Sequence, residues 1–213
     1  ANWQMEDLVG KMVKELQTET AGGRAIIGLS GGIDSSVATA LAAKALGEKL
    51  TAVYVDHGFM REGETESIRQ AFQKFNIRFI VANAQERFMN KLRGVVEPET
   101  KRKIMGEEFI RVFEEVANDS GAEYLIQGTI YPDRIESGFR KNSDKIKSHH
   151  NVAGLPEKIK FKKILEPLRD LYKDEVRNVA RMLDLPKDIV NRQPFPGPGL
   201  AVRIIGPLTE EKV

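Results

Sequence analysis

The feature that most constrains the fold is a regular alternation of short apolar runs with longer helical patterns. Apolar runs with the length of buried strands occur at 24–29, 50–55, 78–81, 124–127 and 164–168. Segments with apolar residues at helical spacing occur at 6–16, 37–46, 62–74, 84–92, 99–118 and 173–183. Strands joined by helices run in the same direction, and such crossovers are right-handed. The chain 1–213 is therefore predicted to form one α/β domain, a doubly wound parallel sheet with helices on both faces.

Composition excludes several classes of function. Lysine and arginine (33) nearly balance aspartate and glutamate (31), so the net charge of +2 predicts no long-range attraction to nucleic acid or to an anionic membrane. No run approaches the roughly 20 apolar residues that span a bilayer, and the amphipathic N-terminus does not resemble a signal peptide. A cytoplasmic protein is expected. The absence of cysteine excludes disulfides, cysteine metal sites and a cysteine nucleophile within these residues.

The strongest candidate site is the segment Ser30-Gly31-Gly32-Ile33-Asp34-Ser35-Ser36, between the first predicted strand and a helix. Adjacent glycines let backbone N–H groups approach an anion, and the helix directs its free N–H groups and positive dipole end to the same point. The segment lacks the Lys-Ser/Thr pair of a Walker loop. It favours a cradle for phosphate or pyrophosphate. The simpler alternative is a tight turn in which Asp34 or Ser35 is the helix N-cap.

Asp34 has a specific implication within such a cradle. A carboxylate beside phosphates would repel them unless a cation lay between. Because Mg²⁺ prefers carboxylate and phosphate oxygens, Asp34 indicates a magnesium bridge to a nucleotide.

Two later segments lack periodicity. Residues 128–161 are rich in glycine, lysine and polar residues, and loops of this length inside compact domains are commonly functional lids, here about 137–161. Residues 194–200 alternate proline and glycine and are predicted to be irregular.

The glycine-serine segment resembles the SGGxDS loop of the N-type ATP pyrophosphatases, a group with an adenine nucleotide alpha hydrolase-like, Rossmann-like fold. Segments 128–137 (GTIYPDRIES), 147–156 (KSHHNVAGLP) and 192–200 (RQPFPGPGL) resemble its GMP synthetase family, and the similarity runs from about Ile26 to the C-terminus. The resemblance implies cleavage of ATP between its α and β phosphates. AMP is transferred to O2 of xanthosine monophosphate (XMP), and ammonia then displaces AMP to give GMP.

The resemblance also implies roles for individual residues. The implied ATP-binding residues are Ser30, Gly31, Gly32, Ile33, Asp34, Ser35, Ser36, Val55, Phe109 and Lys160. The implied catalytic residues are Asp34, Asp133, Glu136, Lys147, His149 and His150. Of these, Asp34, Asp133 and Glu136 are implied to hold Mg²⁺. The implied XMP-binding residues are Asn151, Arg192, Pro196 and Gly197. His57, Ala153 and Gln193 depart from the family pattern, which affects substrate contacts rather than the reaction.

Simpler interpretations of these residues remain open. Asp133 and Glu136 could cap a turn and face solvent, and His149 and His150 could form an exposed polar pair. Phe109 belongs to an ordinary apolar helix stripe. The basic run 101–103 is predicted to be a solvated helix start rather than a phosphate clamp.

The resemblance carries expectations about partners. The family takes ammonia from glutamine through a cysteine amidotransferase, which a chain without cysteine cannot supply, so a separate glutaminase subunit is expected. The family places a C-terminal dimerisation domain after the proline-glycine segment. We expect that domain to be missing from these residues, and we expect a homodimer that forms through it. The competing interpretations are an NAD synthetase-like enzyme, a tRNA-thiolating enzyme, against which the missing cysteine argues, and a non-catalytic nucleotide sensor.

Overall fold

The sheet has five parallel strands in the order β3-β2-β1-β4-β5. In this computed structural model, residues 2–132, 160–191, 199–204 and 206 are described, and side chains from residue 7 onward. The strands are β1 (Ala25–Leu29), β2 (Leu50–Asp56), β3 (Arg78–Asn83), β4 (Tyr124–Ile126) and β5 (Lys163–Leu165). All five lie where the apolar runs predicted strands.

Helices connect and cover these strands. They are α1 (Asn2–Thr20), α2 (Ile33–Leu46), α3 (Glu64–Phe72), α4 (Gln85–Leu92), α5 (Pro98–Ser120), α6 (Lys173–Met182) and α7 (Lys187–Val190), with 3-10 turns at Gly47–Lys49 and Gly199–Val202. The six predicted helices are confirmed. Three short elements were not predicted: α7 and the two 3-10 turns. The first residues of the second turn, Gly199 and Leu200, had been predicted to be irregular.

The two faces of the sheet form two separate apolar layers. Along β2, Leu50, Ala52 and Tyr54 face one layer, whereas Val53 and Val55 face the other. The first layer is completed by α1, α2, α3, α6 and α7, and the second by α4 and α5. Because successive strand side chains point to opposite faces, a strand covered on both faces must be apolar throughout. The doubly wound arrangement is therefore confirmed.

Helix α2 is the most enclosed helix of the first layer. It packs against β1, α1 and α6. Its alanines at 38, 40 and 42 are fully buried. Small side chains allow α1 and α6 to approach it closely. The helix that begins at the candidate phosphate loop is thus held by the core along its length.

Helix α5 has recognisable signals at both ends. The Glu97 side chain accepts a hydrogen bond from Thr100 N, Pro98 stands in the first turn, and Gly121 ends the helix in a left-handed conformation with φ 67°. Hydrogen bonds from the backbone N–H groups of Glu99 and Thr100 lower the pKa of the Glu97 carboxyl.

The prediction that residues 101–103 form a solvated helix start is wrong for Lys101. Arg102 and Lys103 are exposed, but Lys101 is fully buried. Its Nζ donates to the carbonyl oxygens of Ile204 at 2.9 Å and Gly206 at 2.8 Å. A buried ammonium requires polar partners, and backbone carbonyls from a distant segment supply them here. Lys101 therefore ties the 199–206 region to α5.

A second connection joins the same region to the turn after β2. Leu200 N donates to Phe59 O at 2.7 Å, and Phe59 N donates to His57 Nδ1 at 3.1 Å. His57, which departs from the family pattern, is buried, and its ring also contacts that of Phe88. His57 thus orders the turn on which the 3-10 segment rests.

None of the helices in the described part of the chain is long and apolar enough to cross a membrane.

Candidate phosphate-binding site

The candidate phosphate loop lies where the strand order of the sheet reverses. It follows β1, which pairs with β2 on one side and with β4 on the other. The connection from β1 leads toward β2, whereas β4 and β5 extend the opposite half of the sheet. In open α/β sheets this crevice, outside the carboxyl ends of the strands, is where ligands bind. The fold therefore places the loop at the expected ligand position.

Hydrogen bonds among its serines give the loop a defined shape. The hydroxyls of Ser30 and Ser35 lie 3.0 Å apart, and Ser35 Oγ donates to Gly32 O at 3.1 Å. Ser36 Oγ donates to the same carbonyl at 2.8 Å. Gly31 has φ 78°, a left-handed conformation that side chains disfavour. The loop is thus preorganised by its own residues.

The N-terminus of α2 directs backbone donors into the loop. Gly32 is the N-cap and has no side chain that could bond the first N–H groups of the helix. The alternative in which Asp34 or Ser35 is the N-cap is therefore wrong. Uncapped N–H groups, added to the positive end of the helix dipole, form an anion-binding site.

Not every residue of the segment faces a ligand in this conformation. Ile33 is buried in the first apolar layer, and Ser36 is fully buried with its hydroxyl on Gly32 O. Ser30, Asp34 and Ser35 retain partial exposure. The segment divides into residues that support the loop and residues that line it.

Asp34 connects three parts of the site. Its Oδ2 accepts a hydrogen bond from Lys173 Nζ at 2.6 Å, whereas its buried Oδ1 has no hydrogen-bond partner among the described residues. Gly128, just after β4, packs on its backbone: a Cβ added at Gly128 would lie 2.9 Å from Asp34 C and 3.0 Å from Ser35 N. The first turn of α2 is therefore in direct contact with the end of β4.

A second unsatisfied acceptor belongs to the residue that precedes Gly128 in the chain. Gln127 Oε1 is buried and also has no hydrogen-bond partner in the part of the chain that the structure describes. Buried polar atoms are normally paired, and exceptions commonly mark a place for a ligand, an ion or water. The unpaired Oδ1 of Asp34, which lies in the phosphate loop, fits such a place for a cation.

The two residues implied to contact adenine lie on β2, which carries Val55, and on α5, which carries Phe109. Val55 is one residue beyond the last β1–β2 pair, Leu29 with Tyr54. Phe109 is half-buried at the margin of the second layer, and a Cβ at Gly28 of β1 would be 3.9 Å from its Cζ. Phe109 therefore packs beside β1, as its place in an apolar stripe predicted. Its contact with adenine stays a prediction.

Lys160 lies in a different place from the phosphate loop. It precedes β5, and Lys162 N donates to Glu123 O at the amino end of β4. The amino ends of parallel strands lie at the edge opposite the loop. A lysine that does reach the loop is Lys173, at the start of α6, which follows the carboxyl end of β5.

The other implied residues fall outside the described residues. They are Asp133, Glu136, Lys147, His149, His150, Asn151, Arg192, Pro196 and Gly197. In the described ranges, no cluster of three histidine, cysteine, aspartate or glutamate side chains could hold a metal ion. Asp34 is thus the candidate metal ligand in this part of the chain, and nucleotide phosphates would have to provide further ligands.

A large open cavity of about 980 Å³ lies elsewhere, between α4 and α5 at the end of β3. It is lined by residues that include Asn83, Arg87, Lys91 and Glu115, and by no residue of the phosphate loop. Arg87 already pairs there with Glu108 and Glu115. Volume alone does not define a site, so we place the candidate site at the loop, where the uncapped backbone donors of α2 and the unpaired Oδ1 of Asp34 lie.

The match to a known family agrees with this geometry. The family described as the PP-loop domain matches residues 5–193. These residues contain the sheet, the loop and Lys173. The chain therefore belongs to the PP-loop domain family.

Several similar proteins are GMP synthases. One of them is a subunit of the glutamine-hydrolyzing GMP synthase of Archaeoglobus fulgidus, which is 57% identical over 98% of this chain and 67% of its own length. The glutamine-hydrolyzing GMP synthases of Agathobacter rectalis and Thermotoga maritima are 55% and 53% identical over 99% and 100% of this chain. The chain spans only 41% and 42% of these two relatives.

Solved structures support the fold. The NMN synthetase of Francisella tularensis superposes with a TM-score of 0.67 at 21% identity, covering 92% of this chain and 77% of that one. The NH3-dependent NAD synthetase of Campylobacter jejuni superposes with a TM-score of 0.63 at 16% identity, covering 88% of this chain and 77% of that one. These likenesses confirm the adenine nucleotide alpha hydrolase-like fold.

Sequence reasoning missed Lys173 and the close approach of Gly128. Lys173 stands in a plain helical pattern 139 residues from Asp34. The only sequence signal was its position at the start of a helix after a strand, since such positions share the edge of the sheet with the loop.

Proposed function

We propose that this chain is the ATP pyrophosphatase part of a GMP synthase. It binds ATP through the Ser30–Ser36 loop, transfers AMP to O2 of XMP with release of pyrophosphate, and aminates the product. The observation that carries the proposal is an uncapped helix N-terminus at the reversal point of the sheet. It occurs in a chain 57% identical to a subunit of a glutamine-hydrolyzing GMP synthase.

The proposed adenylation follows from the position of the loop. The backbone donors and the dipole of α2 hold the β and γ phosphates, which leaves the α phosphorus open to attack. XMP O2 forms a bond to this phosphorus while the bond to the β-phosphate oxygen breaks. The electron pair leaves with pyrophosphate, and the loop donors stabilise its charge. Ammonia then adds at C2, AMP leaves with the bonding pair, and a proton is released.

Magnesium is part of the proposal. The unpaired Oδ1 of Asp34 is an oxygen ligand of the kind that Mg²⁺ prefers, beside a place for phosphates. When bound, the ion would neutralise charge on the phosphate oxygens. Asp34 would hold it there, and Asp133 and Glu136 are its further proposed ligands.

Ammonia is proposed to come from a separate glutamine amidotransferase. The sequence contains no cysteine to serve as a glutaminase nucleophile. The relative from Archaeoglobus fulgidus is named as one subunit of its synthase, which supports an arrangement in two chains.

The test is exchange of radioactive pyrophosphate into ATP in the presence of Mg²⁺, with and without XMP. Exchange that depends on XMP is expected, because it reports reversible adenylation without amination. Asp34→Ala should lower it by about a hundredfold or more, as loss of a central electrostatic group does. Asp174→Ala is the matched control, since that carboxylate is 92% exposed and near Lys173. Absence of exchange in the wild-type chain, or release of ADP and phosphate instead, would contradict the proposal.

A further inference from the structure

The contact between Lys173 and Asp34 joins a core-anchored helix to the phosphate loop. Lys173 is the first residue of α6, and the buried side chains of Val176, Val179 and Ala180 fix that helix in the first layer. The helix packs against α2, which carries Asp34. The ammonium is therefore brought to the loop by the packing of two core helices.

The ammonium is in an electrostatically unusual position. A cation at a helix N-terminus opposes the helix dipole, whereas the acidic residues of the same turn, Asp174 and Glu175, complement it. The 2.6 Å bond to Asp34 Oδ2 compensates for this cost. Lys173 thus requires a negatively charged partner in the loop, and in this structure that partner is the Asp34 carboxylate.

The ion pair between Lys173 and Asp34 is suited to a change of partners. The side chains are 38% and 25% exposed, and ion pairs with this degree of exposure contribute little to stability. A lysine stem is flexible, so the ammonium can move a short distance without any shift of α6. Asp34 Oδ1 meanwhile has no partner within the described ranges, so the carboxylate has capacity for a further cation.

We propose that the Lys173 ammonium pairs with the Asp34 carboxylate when nucleotide is absent. When a metal–nucleotide complex binds, the ammonium moves to the pyrophosphate oxygens. In the first state it neutralises the aspartate that would otherwise repel incoming phosphates. In the second it gives up Oδ2 to the divalent cation and stabilises the leaving group. Lys173 is thereby a further catalytic residue of the proposed adenylation, on which this inference rests.

The test compares Lys173→Met with wild type by two measurements. In the first, Mn²⁺ is titrated without nucleotide and free Mn²⁺ is read by electron paramagnetic resonance. Removing the competing ammonium should tighten Mn²⁺ binding severalfold. In the second, XMP-dependent pyrophosphate exchange should fall by about tenfold to a hundredfold, because a cation at the leaving group is lost. A purely structural lysine would not move these two quantities in opposite senses.

Three variants serve as controls. Lys163→Met removes an ion pair of equal length, 2.6 Å to Glu19, away from the loop, and should change neither measurement. Lys173→Arg keeps the charge and should bind Mn²⁺ as wild type does, and Asp34→Asn should bind it more weakly than Lys173→Met. Circular dichroism verifies that each variant is folded.

Two outcomes overturn the inference. One is equal or weaker Mn²⁺ binding by Lys173→Met, including no detectable binding to either protein. The other is wild-type exchange by Lys173→Met. Failure of the proposed function is a separate result, because wild type would then show no XMP-dependent exchange while the Mn²⁺ titration could still be read.

Discussion

At the residue scale, the candidate site depends on one close approach between backbones. Gly128 lies so near the start of α2 that a methyl group would come within 3.0 Å of Asp34 O and Ser35 N. These are backbone atoms, which cannot move aside as a flexible side chain can. The position of Asp34 is therefore set partly from β4, a strand distant in sequence.

Gly128→Ala is expected to damage the site more than the fold. The added methyl group should shift the first turn of α2 and displace the loop donors. A displacement of about 1 Å can cost a hundredfold in rate, whereas overpacking costs about 1–3 kcal/mol of stability. The measurements are pyrophosphate exchange and urea unfolding.

Gly106→Ala is the control for this variant, because nothing lies within 4 Å of a Cβ at that helical position. It should raise the free energy of unfolding by about 0.5–1 kcal/mol and leave exchange unchanged. Wild-type exchange by Gly128→Ala would show that the site tolerates the shift.

At the element scale, long-range polar contacts add to the hydrophobic packing of the second layer around α5. Lys101 fastens the 199–206 region to α5, and Arg87 on α4 bonds both Glu108 and Glu115 on α5. The Glu108 side chain is only 2% exposed, and it pairs with both Arg87 and Arg111. Both contacts act on α5, the helix that also carries Phe109.

Lys101→Met should release the 199–206 region. The substitution removes the ammonium that donates to two backbone carbonyls. We therefore expect the free energy of unfolding to fall by about 1–3 kcal/mol. Amide hydrogen exchange should increase in residues 199–204. Lys103→Met, at a side chain that is 78% exposed, should stay within about 0.5 kcal/mol of wild type. An unchanged exchange rate at 199–204 in the Lys101 variant would argue against this attachment.

The ion pairs between α4 and α5 should also make stability depend on pH. The hydrogen bond from Arg87 lowers the pKa of the Glu115 carboxyl. A group whose pKa is lower in the folded state stabilises the fold above its unfolded pKa, about 4.3, and this stabilisation is lost as the pH falls through the folded value.

Acid should therefore destabilise wild type more steeply than Glu115→Gln in urea unfolding between pH 7 and pH 3. The difference should be less than about 1 kcal/mol, because Glu115 is largely exposed and such pairs are screened. Parallel curves for the two proteins would exclude this contribution.

At the scale of the whole molecule, we propose that the chain catalyses adenylation and amination, whereas a separate subunit releases ammonia from glutamine. It has 213 residues, no cysteine, and a net charge of +2. Because these residues contain no thiol that could act as a glutaminase nucleophile, we propose that ammonia comes from another chain.

Ammonium, but not glutamine, should therefore support formation of GMP by this chain alone. Addition of a glutamine amidotransferase subunit should make glutamine effective, and chromatographic detection of GMP measures both reactions. Formation of GMP from glutamine without that subunit would contradict the two-chain proposal. The ammonium reaction without the partner is the control for an active chain.

The architecture was predictable because it depends on local patterns. Apolar runs and helical spacing specify the strands and the helices from α1 to α6, since burial on both faces of a parallel sheet leaves no other arrangement for them. The phosphate loop could also be predicted from its glycines and serines, because their conformational and hydrogen-bonding properties are local. The short helix α7 was not predicted, because four residues are too few to show a helical period.

The sequence by itself determined the doubly wound sheet, the place of the loop at the mouth of β1, and the kinship with GMP synthases. Only the tertiary structure decided that Lys173 reaches Asp34, that Gly128 sets the start of α2, and that Lys101 is buried. Each of these contacts joins residues far apart along the chain. Such contacts leave no periodicity, because the packing of helices and strands, not neighbouring residues, brings their atoms together.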